Sequence, residues 1–410
     1  MKYSHLFGKT KRDAPADADS VNAALLSQGG FVDKQMAGVY NFLPLGLRVL
    51  KKIQNIIREE MDAVGGNEIL MPALTQIENY EKTGRSDLDI LFHTMGHNET
   101  KYVLNQSHEE VVTPLVQRFS FSYRDFPMAV YQLQNKFRNE PRAKSGVLRG
   151  REFNMKDMYS FHATEENLNE YYEKVKEAYF KVYNRLGIGD ITVIAYASGG
   201  SFSKYSHEFQ TLCDIGEDTV HLCEKCRIGI NKEIIEEQKN CPGCGNTELV
   251  ARKSIEVGNI FKLRTRFSDA FEFTYTDEKG QKQKVEMGCY GIGPSRLLGT
   301  LVEVFHDTKG IVWPEAVAPY KLHVVSLGNQ PEVLAAAQQL YTQLSERKAE
   351  VLFDDRDESI GAKLADADLI GIPWRLVVSK KSLEKGGVEL KGRNSSEAKI
   401  ISMEECLALC

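Results

Sequence analysis

At 410 residues the chain is longer than one ordinary core, and its length points to about two or three domains. Hydrophobic residues at 42% and charged residues at 27% exclude a disordered or fibrous chain. The net charge of −5 excludes indiscriminate attraction to nucleic acid, although a local basic patch could still hold a specific RNA. The opening Met1-Lys2-Tyr3-Ser4-His5 offers no signal-peptide core, and no apolar run reaches membrane-spanning length, so a cytoplasmic protein without membrane contact is expected.

In chain order, Leu50, Ile53, Ile57 and Met61 recur at helical spacing over 47–63, with Lys51, Lys52, Arg58 and Glu59 on the wet side. Gly65-Gly66 ends that helix, and Glu68 to Met71 reads as a short strand stopped by Pro72. Tyr102-Val103-Leu104 is a predicted strand and His108 to Phe119 a predicted helix. Two β-rich runs, Met128 to Arg138 and Gly150 to Met155, flank a loop rich in Arg, Lys and Gly and predict a hairpin. Glu165 to Leu186 predicts a long helix, with Leu168, Tyr172, Val175, Tyr179, Val182 and Leu186 on one stripe. Met287 to Arg296 reads as a glycine-spaced strand opening a helix. Beyond Trp313-Pro314, strands at 322–327, 351–354 and 375–378 alternate with helices at 332–348 and 362–369, the pattern of a small α/β domain. That last segment, 318–410, holds 12 Lys+Arg against 14 Asp+Glu, so charge alone does not suggest RNA binding.

The eight cysteines are unevenly spread. Cys223 and Cys226, with Cys241 and Cys244, make two C-x-x-C pairs within 219–250, a pattern that in a cytosolic chain points to metal before disulfide. Four thiolates suit tetrahedral Zn2+ and leave no open ligand position, so the expected role is structural.

Taken singly, an Arg or Glu near a turn is usually a solvated charge, and the glycines 288, 291 and 293 could merely relieve crowding in a sheet. Together, in order, they say more. Phe137-Arg138-Asn139-Glu140 with Arg149-Gly150-Arg151-Glu152-Phe153 resembles motif 2 of the class II aminoacyl-tRNA synthetases. Gly288 to Arg296 resembles motif 3, and helix 47–63 with the strand to Pro72 resembles motif 1. The strings Tyr40-Asn41-Phe42-Leu43-Pro44, Ser107-His108-Glu109-Glu110, Met155-Lys156-Asp157-Met158-Tyr159-Ser160-Phe161-His162, Ser206-His207-Glu208-Phe209 and Gly310-Ile311-Val312-Trp313-Pro314 are similar to the bacterial prolyl-tRNA synthetases in particular.

That resemblance implies an α+β fold: an antiparallel catalytic sheet flanked by helices (1–218 and 251–317), a small four-cysteine zinc-ribbon insertion (219–250) and a C-terminal α/β anticodon-binding domain (318–410). It implies a proline–tRNA ligase that uses ATP with Mg2+ to form prolyl-adenylate and passes proline to tRNA(Pro). The nucleophile is already a carboxylate, so the work is to hold two anions together, for which arginine forks are suited. Arg138 is implied to bridge the α-phosphate and the proline carboxylate, and Arg296 to hold the γ-phosphate end. Glu140 and Phe153 are implied at the adenine, with Arg149 nearby on the nucleotide. Ser107 and Glu109 stand where the family has a Thr-x-Glu loop for the imino group, so the hydroxyl is kept and a methyl lost. Met155, Tyr159, His207 and Cys289 are implied around the proline. Arg142 and Lys144 are implied to meet the acceptor stem, and Asp355, Glu358 and Lys363 the anticodon bases.

Two further expectations follow from the resemblance. The segment between motifs 2 and 3 is too short for the editing domain of longer relatives, so misactivated alanine would be cleared by a separate trans-acting deacylase if at all. Motif 1 implies a homodimer. The threonyl type is disfavoured, since matching catalytic zinc ligands are not evident in the core. The alternative, a non-charging paralogue that binds tRNA or a regulator, is disfavoured because Arg138, Arg296, Glu140 and Glu109 are all present.

Overall fold

The computed structural model describes residues 1–409. They divide into two compact units, one of Met1–Met36, Tyr40–Lys52 and Leu301 onward, the other of Ala37–Val39 and Ile53–Thr300. This division does not follow the boundaries read from the sequence. The physical reason lies at the chain start: the Met1 ammonium donates to Val351 O at 3.0 Å and Phe353 N to Met1 O at 2.9 Å, which ties the first residues to the C-terminal sheet.

The second unit is built on a nine-stranded sheet, counted among the described residues. Its strands are β1 (Asn67–Glu68), β2 (Met128–Phe137), β3 (Glu152–His162), β4 (Thr192–Ser198), β5 (Tyr205–Leu212), β6 (Asp218–Cys223), β7 (Ile228–Asn231), β8 (Val250–Arg264) and β9 (Glu286–Ile292). The expected antiparallel core is present: β2–β3, β3–β9, β9–β8 and β8–β5 all pair antiparallel. The motif 1 region supplies α1 (Pro44–Ala63) and then β1, which pairs parallel with β2 and is shorter than the predicted strand. Helix α2 (Glu109–Gln117) follows, and α3 (Glu165–Arg185) is capped by Thr164, whose hydroxyl accepts from Asn167 N. The stripe predicted for α3 is buried from Leu168 to Leu186.

Alternation along the strands decides what faces what. Lys156, Met158 and Tyr290 point toward α3, and the Lys156 ammonium donates to Tyr179 Oη at 2.6 Å and Tyr290 O at 2.9 Å. Their neighbours Asp157, Tyr159 and Cys289 point to the opposite face.

The cysteine segment is part of the sheet rather than an appendage. Strand β6 pairs with β8, β7 with β6, and β7 runs parallel to β4. Since β5 pairs with both β4 and β8, the strands β4 to β8 form a closed ring of pairings. Glycine content and the C-x-x-C spacing gave no hint of this, because strand partners here are distant in sequence.

In the first unit, β10 (Leu322–Leu327), β11 (Val351–Asp354), β12 (Trp374–Ser379), β13 (Val388–Gly392) and β14 (Ala398–Ile401) form a sheet of order β11-β10-β12-β13-β14. The first three are parallel, as the alternation predicts; the closing antiparallel strands β13 and β14 were not predicted. Ahead of that sheet, the motif 3 strand is followed by α4 (Pro294–Val304), while α5 (Pro331–Glu346) and α6 (Ile360–Ile370) serve the crossovers. Gly371 ends α6 at φ +78°, a conformation that glycine adopts without steric cost.

Candidate active site

Beneath the face bearing Tyr159 and Cys289 lies a cavity of about 310 Å³, contained within the second unit. One end of it is organised by the start of α2. Glu109 is fully buried, and its carboxylate accepts from Ser107 Oγ at 2.5 Å, from the Arg85 guanidinium at 3.1 Å and from Cys289 Sγ at 3.3 Å. Arg85 is itself buried, donates also to Ser107 Oγ and to Glu110 at 3.1 Å each, and lies over the rings of Phe202 and Phe267. Burial opposes the Arg85 charge, but Glu109 and Glu110 outweigh that and hold its pKa above the ordinary value. Burial, then Glu109, pushes the Cys289 thiol up. Tyr159 accepts from His108 N at 2.7 Å and donates to Asp157 at 3.0 Å, and Asp157 pairs with Lys136 at 2.7 Å. The Ser107 hydroxyl is thus bonded within this buried cluster, to Glu109 and Arg85.

The other end is lined by Arg138, Glu140, Arg149, Phe153, Glu208, Glu256 and Arg296. Arg296 stands on the first turn of α4 and donates to Leu148 O at 2.8 Å, Glu256 O at 2.9 Å and the Glu256 carboxylate at 3.1 Å. The Arg138 guanidinium lies 5.1 Å from the Phe153 ring centre, and its buried Nε has no partner. Burial and the neighbouring Arg296 lower its pKa from the usual arginine value. An orphaned donor of this kind is costly unless an anion arrives. Arg149 grips Glu140 Oε2 through two nitrogens at 3.0 and 2.8 Å, so the adenine-facing carboxylate read from the sequence is already partly occupied. Burial and Glu256 push the Glu208 carboxyl up to about 8.

Met155 also lines the cavity. His207 does not. Strand alternation turns it to the α3 face, where Nδ1 lies 2.7 Å from Tyr172 Oη and the ring meets Tyr196 edge-on; burial lowers its pKa to about 4. Its neighbour Glu208 takes the cavity position instead. Arg142 and Lys144 are exposed on the β2–β3 loop, Lys144 lying 3.5 Å from Glu217.

In the first unit, Glu358 is exposed, whereas Asp355 accepts from Ser4 N and Oγ at 2.9 and 2.7 Å. Lys363 is buried and donates to Ser326 O at 2.9 Å, so its ammonium is spent within the fold. Arg85 and Glu256 lie outside the strings that resemble the family and carry no local signal of their own, whereas Glu208 adjoins His207 in Ser206-His207-Glu208-Phe209.

The four paired cysteines converge: the sulfur atoms of Cys223, Cys226, Cys241 and Cys244 lie within 4.8 Å of one another. Separations of 3.6, 3.1 and 3.8 Å for three of the pairs lie at or below the roughly 3.8 Å edge of a tetrahedron with 2.3 Å zinc–sulfur bonds. No other group of three or more potential ligands is found among the described residues.

Residues 92–305 match the tRNA synthetase class II core domain (G, H, P, S and T), and residues 321–410 match an anticodon binding domain. A proline–tRNA ligase of Sulfurimonas denitrificans is 38% identical over 432 residues, covering 100% of this chain and 98% of that protein. One from Dehalococcoides mccartyi is 32% identical over 558 residues, covering 99% and 98%. The chain belongs to the proline–tRNA ligase family. The alignment of 558 positions with the Dehalococcoides protein exceeds this chain's 410 residues, so that relative carries a long segment this one lacks. The solved Giardia lamblia prolyl-tRNA synthetase in complex with prolyl-adenylate shares the fold, with a TM-score of 0.78 at 19% identity over 94% of this chain and 75% of that one. Among the described residues no helix is long and apolar enough to cross a membrane.

Arg85→Ala is expected to strand two buried carboxylates, Glu109 and Glu110, and so to cost about 3–5 kcal/mol of stability. Chemical denaturation of the variant beside the unaltered protein measures this; a loss below about 1 kcal/mol would show that water or protonation replaces the guanidinium.

Proposed function

We propose that the chain condenses proline with ATP in this cavity to give prolyl-adenylate and then passes the proline to tRNA(Pro). The observation that carries the reading is the unpartnered, buried Nε of Arg138, set in one cavity with the Glu109 carboxylate and Arg296. Glu109, backed by Arg85, Ser107 and Cys289, meets the secondary ammonium of proline. Met155 and Tyr159 shape the wall around the ring. Arg138 spans the amino-acid carboxylate and the α-phosphate, which stabilises charge on the phosphoryl oxygens as the carboxylate attacks and pyrophosphate leaves. Arg296 holds the far phosphate end, and Phe153 with Glu140 and Arg149 borders the base. Glu256 and Glu208 are the cavity carboxylates that would hold magnesium accompanying ATP, which neutralises phosphate charge. The terminal ribose hydroxyl of the tRNA then attacks the adenylate carbonyl and AMP departs.

Arg142 and Lys144, exposed on their loop, are the cations available to the acceptor stem. For the anticodon, the exposed Glu358 is the better candidate, because Asp355 and Lys363 already have partners within the fold. In functional terms the chain divides into catalytic residues 1–218 and 251–317, the cysteine segment 219–250 and the anticodon-reading residues 318–410. We further propose a cytoplasmic homodimer, with a structural zinc ion held by Cys223, Cys226, Cys241 and Cys244. The absence of the long segment carried by the Dehalococcoides relative supports a chain that does not clear alanine from its own tRNA.

Three measurements check these points. ATP–pyrophosphate exchange across the amino acids is expected to be strong with proline, and Arg138→Ala to reduce it by about a hundredfold or more; silence of the unaltered protein with proline would favour a non-charging paralogue. Metal analysis is expected to find about one zinc per chain, lost in Cys226→Ser; metal-free unaltered protein of equal stability would refute the site. Deacylation of Ala-tRNA(Pro) by the purified chain is expected to be negligible beside its charging rate, and comparable rates would overturn the editing proposal.

A further inference from the structure

The cysteine hairpin reaches the active site through hydrogen bonds. Asn231 closes β7 and is buried. Its Oδ1 accepts from Glu233 N at 3.1 Å, which fixes the orientation of the amide. Its Nδ2 therefore faces two carboxylates, donating to Glu208 Oε2 at 2.8 Å and Asp218 Oδ2 at 2.8 Å. Gln210 Nε2 donates to the same two oxygens at 2.8 and 2.9 Å. Two amides thus bridge two buried or half-buried carboxylates in a square, each using both N–H groups. The remaining oxygen of Glu208 continues the path: Asn259 Nδ2 donates to Glu208 Oε1 at 3.3 Å and to Glu256 Oε1 at 3.2 Å, and Glu256 Oε2 lies 3.1 Å from Arg296.

Carboxylates so close together repel, and each would swing toward water if nothing restrained it. Here the restraint is supplied by the N–H groups of neutral amides, which hold the oxygens in place. One of those amides belongs to the strand whose other end is pinned beside the cysteine cluster, since Cys223 pairs with Ile228 in the same hairpin where Val220 pairs with Asn231. The register of the hairpin thus sets where Asn231 stands.

We propose that Asn231 is a positioning residue for the activation step: through Glu208, Asn259 and Glu256 it fixes the nucleotide end of the cavity, which makes the cysteine hairpin a working part of the active site. The inference rests on the reading of the cavity as an ATP site. It assigns Asn231 to the nucleotide and not to proline, whose Glu109 end shares no hydrogen bond with the square.

The test compares the unaltered chain with Asn231→Ala in two assays. In ATP–pyrophosphate exchange the KM for ATP is expected to rise about tenfold while the KM for proline stays within about twofold, the effect of losing the amide's hydrogen bond to Glu208. Calorimetric binding of a non-hydrolysable ATP analogue with magnesium, without proline, is expected to weaken by a similar factor. Analogue affinity unchanged in a folded variant, or KM values for ATP and proline rising together, would overturn the proposal. Should Asn231→Ala not fold, Asn231→Asp, which keeps the size and the acceptor oxygen but loses both donors, or Gln210→Ala decides in the same assays. Proline-dependent exchange by the unaltered chain tests the reading of function separately, and the binding ratio between variant and unaltered chain stands whatever that exchange shows.

Discussion

At one end of the cavity, the fully buried Glu109 carboxylate depends on the buried Arg85 guanidinium beside it. An isolated carboxylate in this position would simply take up a proton. Arg85 instead offers hydrogen bonds to Glu109, Glu110 and Ser107 at once, and its planar face rests between Phe202 and Phe267. Much else at this end of the cavity is arranged around this group. Ser107 donates to the same carboxylate, Cys289 closes its other oxygen, and Tyr159 holds the backbone of His108 one residue away. Polar groups fixed in this way are already desolvated and oriented, so a group that enters beside them needs little reorganisation of the protein.

The sheet keeps this polar cluster separate from the apolar support. On β3, Phe153, Met155, Asp157 and Tyr159 line the cavity, while Lys156 between them reaches α3. The same alternation explains why His207 and Glu208, adjacent in sequence, serve different faces. Arginine stands at both ends of the cavity: Arg85 beside Glu109, and Arg138 with Arg296 at the end that Glu208 and Glu256 also line. The closed ring β4 to β8 holds these carboxylates on strands that cannot shift independently, because each is hydrogen-bonded to two neighbours.

A good part of this was legible in the sequence. The helical stripe of α3, the hairpin of β2 and β3, the strand-to-helix passage at Gly293 and the first three strands of the C-terminal sheet are local patterns of period and punctuation, and local patterns survive in any tertiary context. Ser107, Glu109, Arg138, Phe153, Cys289 and Arg296 were legible for another reason: they sit in short strings whose order resembles a known family. The two C-x-x-C pairs were legible because metal geometry needs little beyond four sulfurs on two tight turns. In contrast, β13 and β14, of five and four residues, are too short to establish a period.

What the sequence determined by itself, then, was the family, the charged residues that line the cavity and the four cysteines that converge, since these depend on residue identity and near-neighbour spacing. Only the tertiary structure decided which groups stand together. It brought Arg85 to Glu109 and Asn231 to Glu208, turned His207 away from the cavity, and enclosed Lys363 against Ser326. Those outcomes depend on strand register and on which face of a pleat a side chain occupies, and a shift of one residue reverses the face. Such registers are fixed by partners far away along the chain, so no window of sequence contains them.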